Sequence, residues 1–166
     1  MGADPTVHAA TTEDLDGIRS VARVAWHEVY DDLLGERTVD RMLSTGYADD
    51  VLERIAGLED VELFVAEVDD RVVGYASCDR TDTVGLGDLD VYVHPDYWGE
   101  GVDERLLERG SDHLSSLGVR RVRDGVFVSN EVGNAFYRDH FEHVGRRETD
   151  FGGETRAVNV YERSIA

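Results

Sequence analysis

Lysine is absent from this sequence, and all 17 strongly basic residues are arginine. Cysteine is reduced to Cys78 alone, which excludes an internal disulfide and any cysteine-rich metal site. Its neighbours Tyr75, Ala76 and Ser77 read as strand, so Cys78 is either a packed inert thiol or a reactive one, with the setting favouring the first. Proline occurs only at Pro5 and Pro95, and no repeat or low-complexity tract appears. No stretch approaches the roughly 20 apolar residues of a membrane span. Met1 to Pro5 carries neither a basic segment nor an apolar core, so no signal peptide is expected there. The remaining composition, 41% apolar over 166 residues, is sufficient for a packed core. One domain over residues 1–166, cytoplasmic, is the expectation.

Acidic residues number 36, and the net charge is -19. A field of that sign repels nucleic acid and anionic membranes, so neither is expected as a partner. Two readings of the charge compete. One is attraction of a cationic substrate such as an amine. The other is a solvated surface suited to very high salt, where self-repulsion is screened. The acids are spread along the whole chain, as the second reading requires, and the composition resembles that of salt-loving archaea.

Apolar spacing supplies the elements. Thr6 to His8 reads as a short strand, and Thr11-Thr12-Glu13-Asp14 as a helix start with hydroxyl caps and first-turn acids. Leu15, Ile18, Val21, Ala22, Ala25, Trp26 and Val29 then mark one helical face. A second helical region is expected from Thr38 to Leu58, interrupted near Gly46. Val61 to Val68 and Arg71 to Asp79 read as a hairpin around Asp69-Asp70. A strand follows over Asp88 to Val93, and then a helix with Val102, Leu106, Leu107, Leu114 and Leu117 on one side, closed by Gly118. Val119 to Val128 is the next strand and Asn130 to His140 a short helix. His143 to Phe151 and Thr155 to Arg163 are closing strands. Strand, helix and strand between Asp88 and Val128 should make a parallel pair inside an otherwise antiparallel sheet, an α/β or α+β mixed-sheet domain.

The chemistry-bearing stretch runs from Val91 to Leu107. A strand enters a turn holding Gly99 and Gly101, and the turn opens a helix. The glycines permit close backbone approach, and amides at a helix start favour an anion such as a pyrophosphate. A plain tight turn is the alternative. Neither a Walker loop nor a dinucleotide fingerprint fits the spacing.

Val93-His94-Pro95, Tyr97, Gly99, Gly101 and Leu106-Leu107 resemble, in register, the acyl-CoA-binding signature of the GNAT N-acetyltransferase family. A second signature follows in order: the strand at Val126 to Val128, Asn130, Tyr137 seven residues later, and Phe141. Ala10 to Leu15 resembles the family's first strand-to-helix junction. The resemblance implies the GNAT fold, a mostly antiparallel sheet with one splayed parallel pair, flanked by helices. It implies acetyl-CoA as co-substrate, an amine-bearing acceptor and no metal. Departures stand beside it. Trp98 occupies the usual Arg/Gln position, Asp103 replaces a small residue, His140 replaces the usual Gly, and Gly125 stands where some members carry a glutamate base.

By resemblance, Val91, Tyr92 and Val93 lie along the pantetheine arm, with the amides of Val91 and Val93 polarising the thioester carbonyl. Trp98 and the turn of Gly99, Glu100, Gly101, Val102, Asp103 and Glu104 hold the pyrophosphate. Tyr137 is the candidate general acid toward the thiolate, and Asn130 either meets the pantetheine or caps the helix. Asp88, Asp90 and Tyr92 alternate onto one strand face, and Asp90 is the candidate base, against a solvated face, His94, His113 or water. Trp26 and Tyr30 either border the acceptor pocket or pack in the core. Arg105, Arg109 and Arg138 either meet CoA phosphates or sit in surface ion pairs. A homodimer would form through the last strands.

Overall fold

The computed structural model describes residues 4–46, 61–81, 83–151 and 153–165. β1 (Thr6–Ala9) passes through a 3-10 turn (Thr12–Asp14) into α1 (Leu15–Leu34). The Thr11 amide donates to the Asp14 carboxylate at 2.9 Å, which ties this entry into the helix. Leu15, Ile18, Val21, Ala22 and Ala25 are buried as the spacing predicts. Trp26 and Val29 are half-buried, because the stripe runs past the core there. Gly35, with φ +88°, ends α1, and α2 (Glu36–Gly46) begins at once, earlier than the expected Thr38. The expected continuation to Leu58 lies outside the described residues.

β2 (Val61–Val68) and β3 (Arg71–Arg80) form the hairpin, with Asp69 at φ 52° and Asp70 at φ 63° as a twist-compatible turn demands. β4 (Leu86–Val93), α3 (Val102–Ser116), β5 (Arg121–Phe127), α4 (Glu131–His140), β6 (Glu142–Phe151) and β7 (Glu154–Ser164) complete the order. Leu117 does not join the buried face of α3. It sits at the C-cap, 37% exposed, because Gly118 at φ +88° turns the chain away.

Seven strands make one sheet in the order β1-β2-β3-β4-β5-β7-β6. Every pairing is antiparallel except β4 with β5. That parallel pair is in register only at Leu86 with Arg121 and Gly87 with Val122. Beyond these residues the two strands part. α3 packs its Val102, Leu106, Leu107 and Leu114 onto one face of the sheet, and α1 packs Leu15, Ile18 and Val21 onto strand residues Val65 and Tyr75. α3 lies so close that a Cβ on Gly110 would meet Leu89 Cδ1 at 2.5 Å and Cys78 Sγ at 2.8 Å. Burial first, and then the nearby carboxylates, push the Cys78 thiol up to about 12, so the packed inert reading is the one this site supports. Among the described residues no helix is long and apolar enough to cross a membrane.

Leu106 is fully buried beneath α3. Its truncation to alanine is expected to cost about 2–5 kcal/mol of unfolding free energy, read from a denaturant midpoint at constant slope.

Candidate active site

The parting of β4 and β5 opens a cavity of about 530 Å³ through the sheet. Its walls come from α1 (Ala25, Val29, Tyr30), from β4 and the turn after it, and from β5 and α4. Antiparallel pairing with β3 alternates, and the His94 amide donates to the Val73 carbonyl at 2.8 Å. Even-numbered residues of β4 therefore spend their backbone groups on β3, and Leu89, Val91 and Val93 turn theirs toward β5. With β5 diverging, the Val91 and Val93 amides face the cavity.

Two neighbours deal with the flanking groups of this edge. The Leu89 amide donates to the Asp124 carboxylate, so the Asp124 side chain stands where the next backbone pair of β4 and β5 would form. The Trp98 indole donates to the Val93 carbonyl at 2.8 Å. Trp98, which departs from the family pattern, thus braces the strand end from which the turn departs.

Gly99 and Gly101 have φ of +79° and +83°, and a Cβ at either would meet nothing within 4 Å. Their left-handed backbone, rather than crowding, is what calls for glycine. The first intrahelical bond of α3 runs from the Arg105 amide to the Gly101 carbonyl at 3.2 Å, so the amides before it point out of the helix end. One of these is already engaged: the Asp103 carboxylate accepts from the Glu104 amide at 2.9 Å. The Asp103 side chain lines the cavity at this helix start.

Across the cavity, Tyr137 is 9% exposed and Asp124 7%. The Tyr137 hydroxyl donates to Asp124 Oδ2 at 3.3 Å. Burial, reinforced by the charges of Asp90 and Asp88, raises the Asp124 carboxyl well above its ordinary range. Burial above all raises the Tyr137 phenol as well, so it stays protonated at neutral pH. Asp90 is exposed, but to the cavity. Desolvation by the walls, then the charge of Asp88, raise it to about 6.

Asn130 caps α4, its Oδ1 accepting from the Gly133 amide at 2.9 Å. One turn on, Asn134 is 4% exposed and binds three carbonyls, those of Phe127 at 2.9 Å, Val128 at 3.2 Å and Asn130 at 2.8 Å. Its Oδ1 accepts from the Tyr161 hydroxyl at 2.6 Å and from Asn159 Nδ2 at 2.9 Å. This hub fixes α4, and with it Tyr137, to the ends of β5 and β7. Toward α1 the wall is aromatic: Trp26 lies 5.3 Å from Tyr30 and 5.5 Å from Tyr92, and Tyr30 lies 6.3 Å from Phe127, ring centre to ring centre. Tyr30 and Tyr92 line the cavity, while Trp26 packs on the core beneath α1.

The fold thus brings Asp90, Val91, Tyr92, Val93, Trp98, Gly99, Asp103, Asn130 and Tyr137 to one cavity. Glu100, Gly101, Val102 and Glu104 do not line it. They lie in the turn and the first turn of α3, where Val102 is buried against the sheet. His94 caps the 3-10 turn through the Asp96 amide, and His113 packs on Phe64, so neither histidine reaches the cavity. Arg109 sits over the Phe64 ring, 5.0 Å from its centre, and does not line the cavity. At Gly125, the position of the family's occasional glutamate, the space a Cβ would take is held by the Arg147 guanidinium, 2.9 Å away.

Asp124 and Asn134 escaped the sequence reading. Asp124 had a signal, since it alternates with Val122 and Val126 and so places a carboxylate on a buried strand face. Asn134 stands one helical turn from both Asn130 and Tyr137, but nothing in the sequence separates it from a solvated polar residue.

A family model described as the acetyltransferase (GNAT) family matches residues 26–141. The chain belongs to this family. No curated protein matches the sequence. The fold is similar to that of a PaiA N-acetyltransferase from Thermoplasma acidophilum solved in complex with coenzyme A. That similarity has a TM-score of 0.82, 20% identity, and coverage of 98% of this chain and 99% of the other. It is also similar to a ribosomal-protein alanine N-acetyltransferase from Escherichia coli, with a TM-score of 0.71, 18% identity and coverage of 98% and 95%. An N-acetyltransferase from Staphylococcus aureus gives a TM-score of 0.71 at 19% identity, covering 99% and 100%.

Proposed function

We propose that this protein transfers an acetyl group from acetyl-CoA to a primary amine, of a small molecule or a protein N-terminus, by direct attack within the cavity. The carrying observation is the open β4 edge: amides of Val91 and Val93 face a cavity that ends at a glycine turn and a helix start. Such an edge supplies donors to a developing oxyanion without reorganisation, and the turn supplies amides to a diphosphate. Family membership and the coenzyme A complex of a fold neighbour support the same reading. Asp90 would take the ammonium proton and Tyr137 would protonate the departing sulfur.

A weaker acyl-CoA-binding module is the second reading, and Asp103 is the observation that favours it. Its carboxylate already holds the Glu104 amide. At about 4 Å a like charge costs a diphosphate on the order of 1–4 kcal/mol, depending on screening. Asp103→Asn is therefore expected to lower KM for acetyl-CoA about tenfold at low salt and much less in molar salt. The parent experiment is thiol release from acetyl-CoA against a panel of primary amines, beside calorimetry with coenzyme A. Saturable release with one amine supports transfer. Binding without release leaves the module, and no binding removes both readings.

A further inference from the structure

Asp124 is the one buried carboxylate at the point where β4 and β5 part, and the acetyl-transfer scheme above gives it no task. Its surroundings are specific. One oxygen partner is the Leu89 amide on β4, the other is the Tyr137 hydroxyl on α4, 3.3 Å from Oδ2. Its cross-strand partner on β7 is Tyr161, whose hydroxyl is committed to Asn134 at 2.6 Å and whose ring stacks on Tyr137. The remaining groups acting on it are the carboxylates Asp90 and Asp88 on β4, and Tyr30 on α1 acts on Tyr137. No cation is among them.

A contact between a phenol oxygen and a carboxyl oxygen at this distance serves either proton direction. With Asp124 ionised, the phenol must donate to it, and its only proton points away from the cavity. With Asp124 protonated, the carboxyl O–H donates to the phenol oxygen, and the phenol O–H is released toward the cavity that Tyr137 lines.

We propose that Asp124 is a positioning residue that, as the carboxylic acid, turns the Tyr137 O–H toward the departing sulfur and then replaces the proton the phenol gives up. The inference rests on the acetyl-transfer reading. As the carbon–sulfur bond breaks, its electron pair goes to sulfur, which takes the phenol proton. The phenolate oxygen takes the carboxyl proton, and Asp124 is left ionised. The acceptor ammonium sheds two protons in all, one before its nitrogen attacks as the neutral amine and one after. One of them restores Asp124 by way of the cavity, where Asp90 stands, and the other leaves to water. The scheme takes Asp124 as the acid, the direction in which burial and then the charges of Asp90 and Asp88 push it.

Asp124→Asn keeps an acceptor for the Leu89 amide and the shape of the side chain, but has no acid proton. Three measurements test it. In the free protein at neutral pH, the infrared difference between wild type and Asp124→Asn should contain the carbonyl band of a protonated carboxyl. Absence of that band overturns the proposal whether or not the protein is an acetyltransferase. In turnover, Asp124→Asn should lower kcat at least tenfold, and the alkaline limb of the kcat profile should disappear. A limb that stays in place overturns the proposal, since a merely structural loss would reduce amplitude and melting temperature only. In the Tyr137→Phe background, Asp124→Asn should add less than twofold, because the two residues act as one unit. A multiplicative effect overturns it. If the band is present and no amine is ever acetylated, the acetyl-transfer reading fails and this assignment fails with it.

Discussion

Tyr137→Phe should lower kcat about 10²–10³-fold while leaving the dissociation constant for coenzyme A within twofold, the scale at which a single positioned acid acts. The substitution keeps the ring, which stacks on Tyr161 at 5.4 Å and packs against Phe141 at 4.8 Å, so the α4 face is retained. It removes one hydroxyl, whose partner among the described residues is Asp124. On the proposed function, coenzyme A affinity would rest elsewhere, on the turn at Gly99 and Gly101 and on the β4 edge. The phenol proton matters only while the sulfur departs, so its loss falls on kcat and not on ground-state binding. The check is steady-state kcat at saturating amine beside calorimetry with coenzyme A. An unchanged kcat would assign the proton to water and remove Tyr137 from the chemistry.

The architecture was legible where a local rule fixes it. Gly118 stops α3, Asn130 caps α4 through Gly133, and the strand alternation places β2, β3 and β5 to within a few residues. The glycine turn was equally legible, because only its backbone conformation demands Gly99 and Gly101. The site was harder to read because its parts meet through the sheet. Asp124 is one acid among 36 in the sequence, and only the parting of β4 and β5 reveals it as the group bonded to Leu89 and Tyr137. Trp98 was readable as a departure from a pattern, but its bond to the Val93 carbonyl depends on how the 3-10 turn folds back. The histidines illustrate the converse. His94 and His113 look catalytic by residue type, yet a cap and a ring contact account for both.

Asp90→Asn should lower kcat/KM about 10²-fold at pH 7 and abolish an inflection near pH 6. If the acceptor binds as the ammonium, Asp90 must be ionised to take its proton. Wild-type kcat/KM then rises tenfold per pH unit below about 6 and levels off above it. Stability should move the other way. The folded-state carboxyl lies above the ordinary value of about 3.9, so ionisation favours the unfolded chain. Whatever stability the protonated group gives is complete below pH 4 and is lost as pH rises through about 6. Asparagine titrates nowhere in this range. The variant should therefore melt with wild type near pH 4 and melt higher than wild type at pH 8. A lower melting temperature at pH 8 would make Asp90 a structural partner and leave the base unassigned. In the proposed transfer, Asp90 ionised toward the amine and Asp124 protonated behind Tyr137 would form a divided pair. Burial pushes both carboxyls upward, Asp90 to about 6 and Asp124 well above its ordinary range, and the proposed scheme would use the first as proton acceptor and the second as proton store.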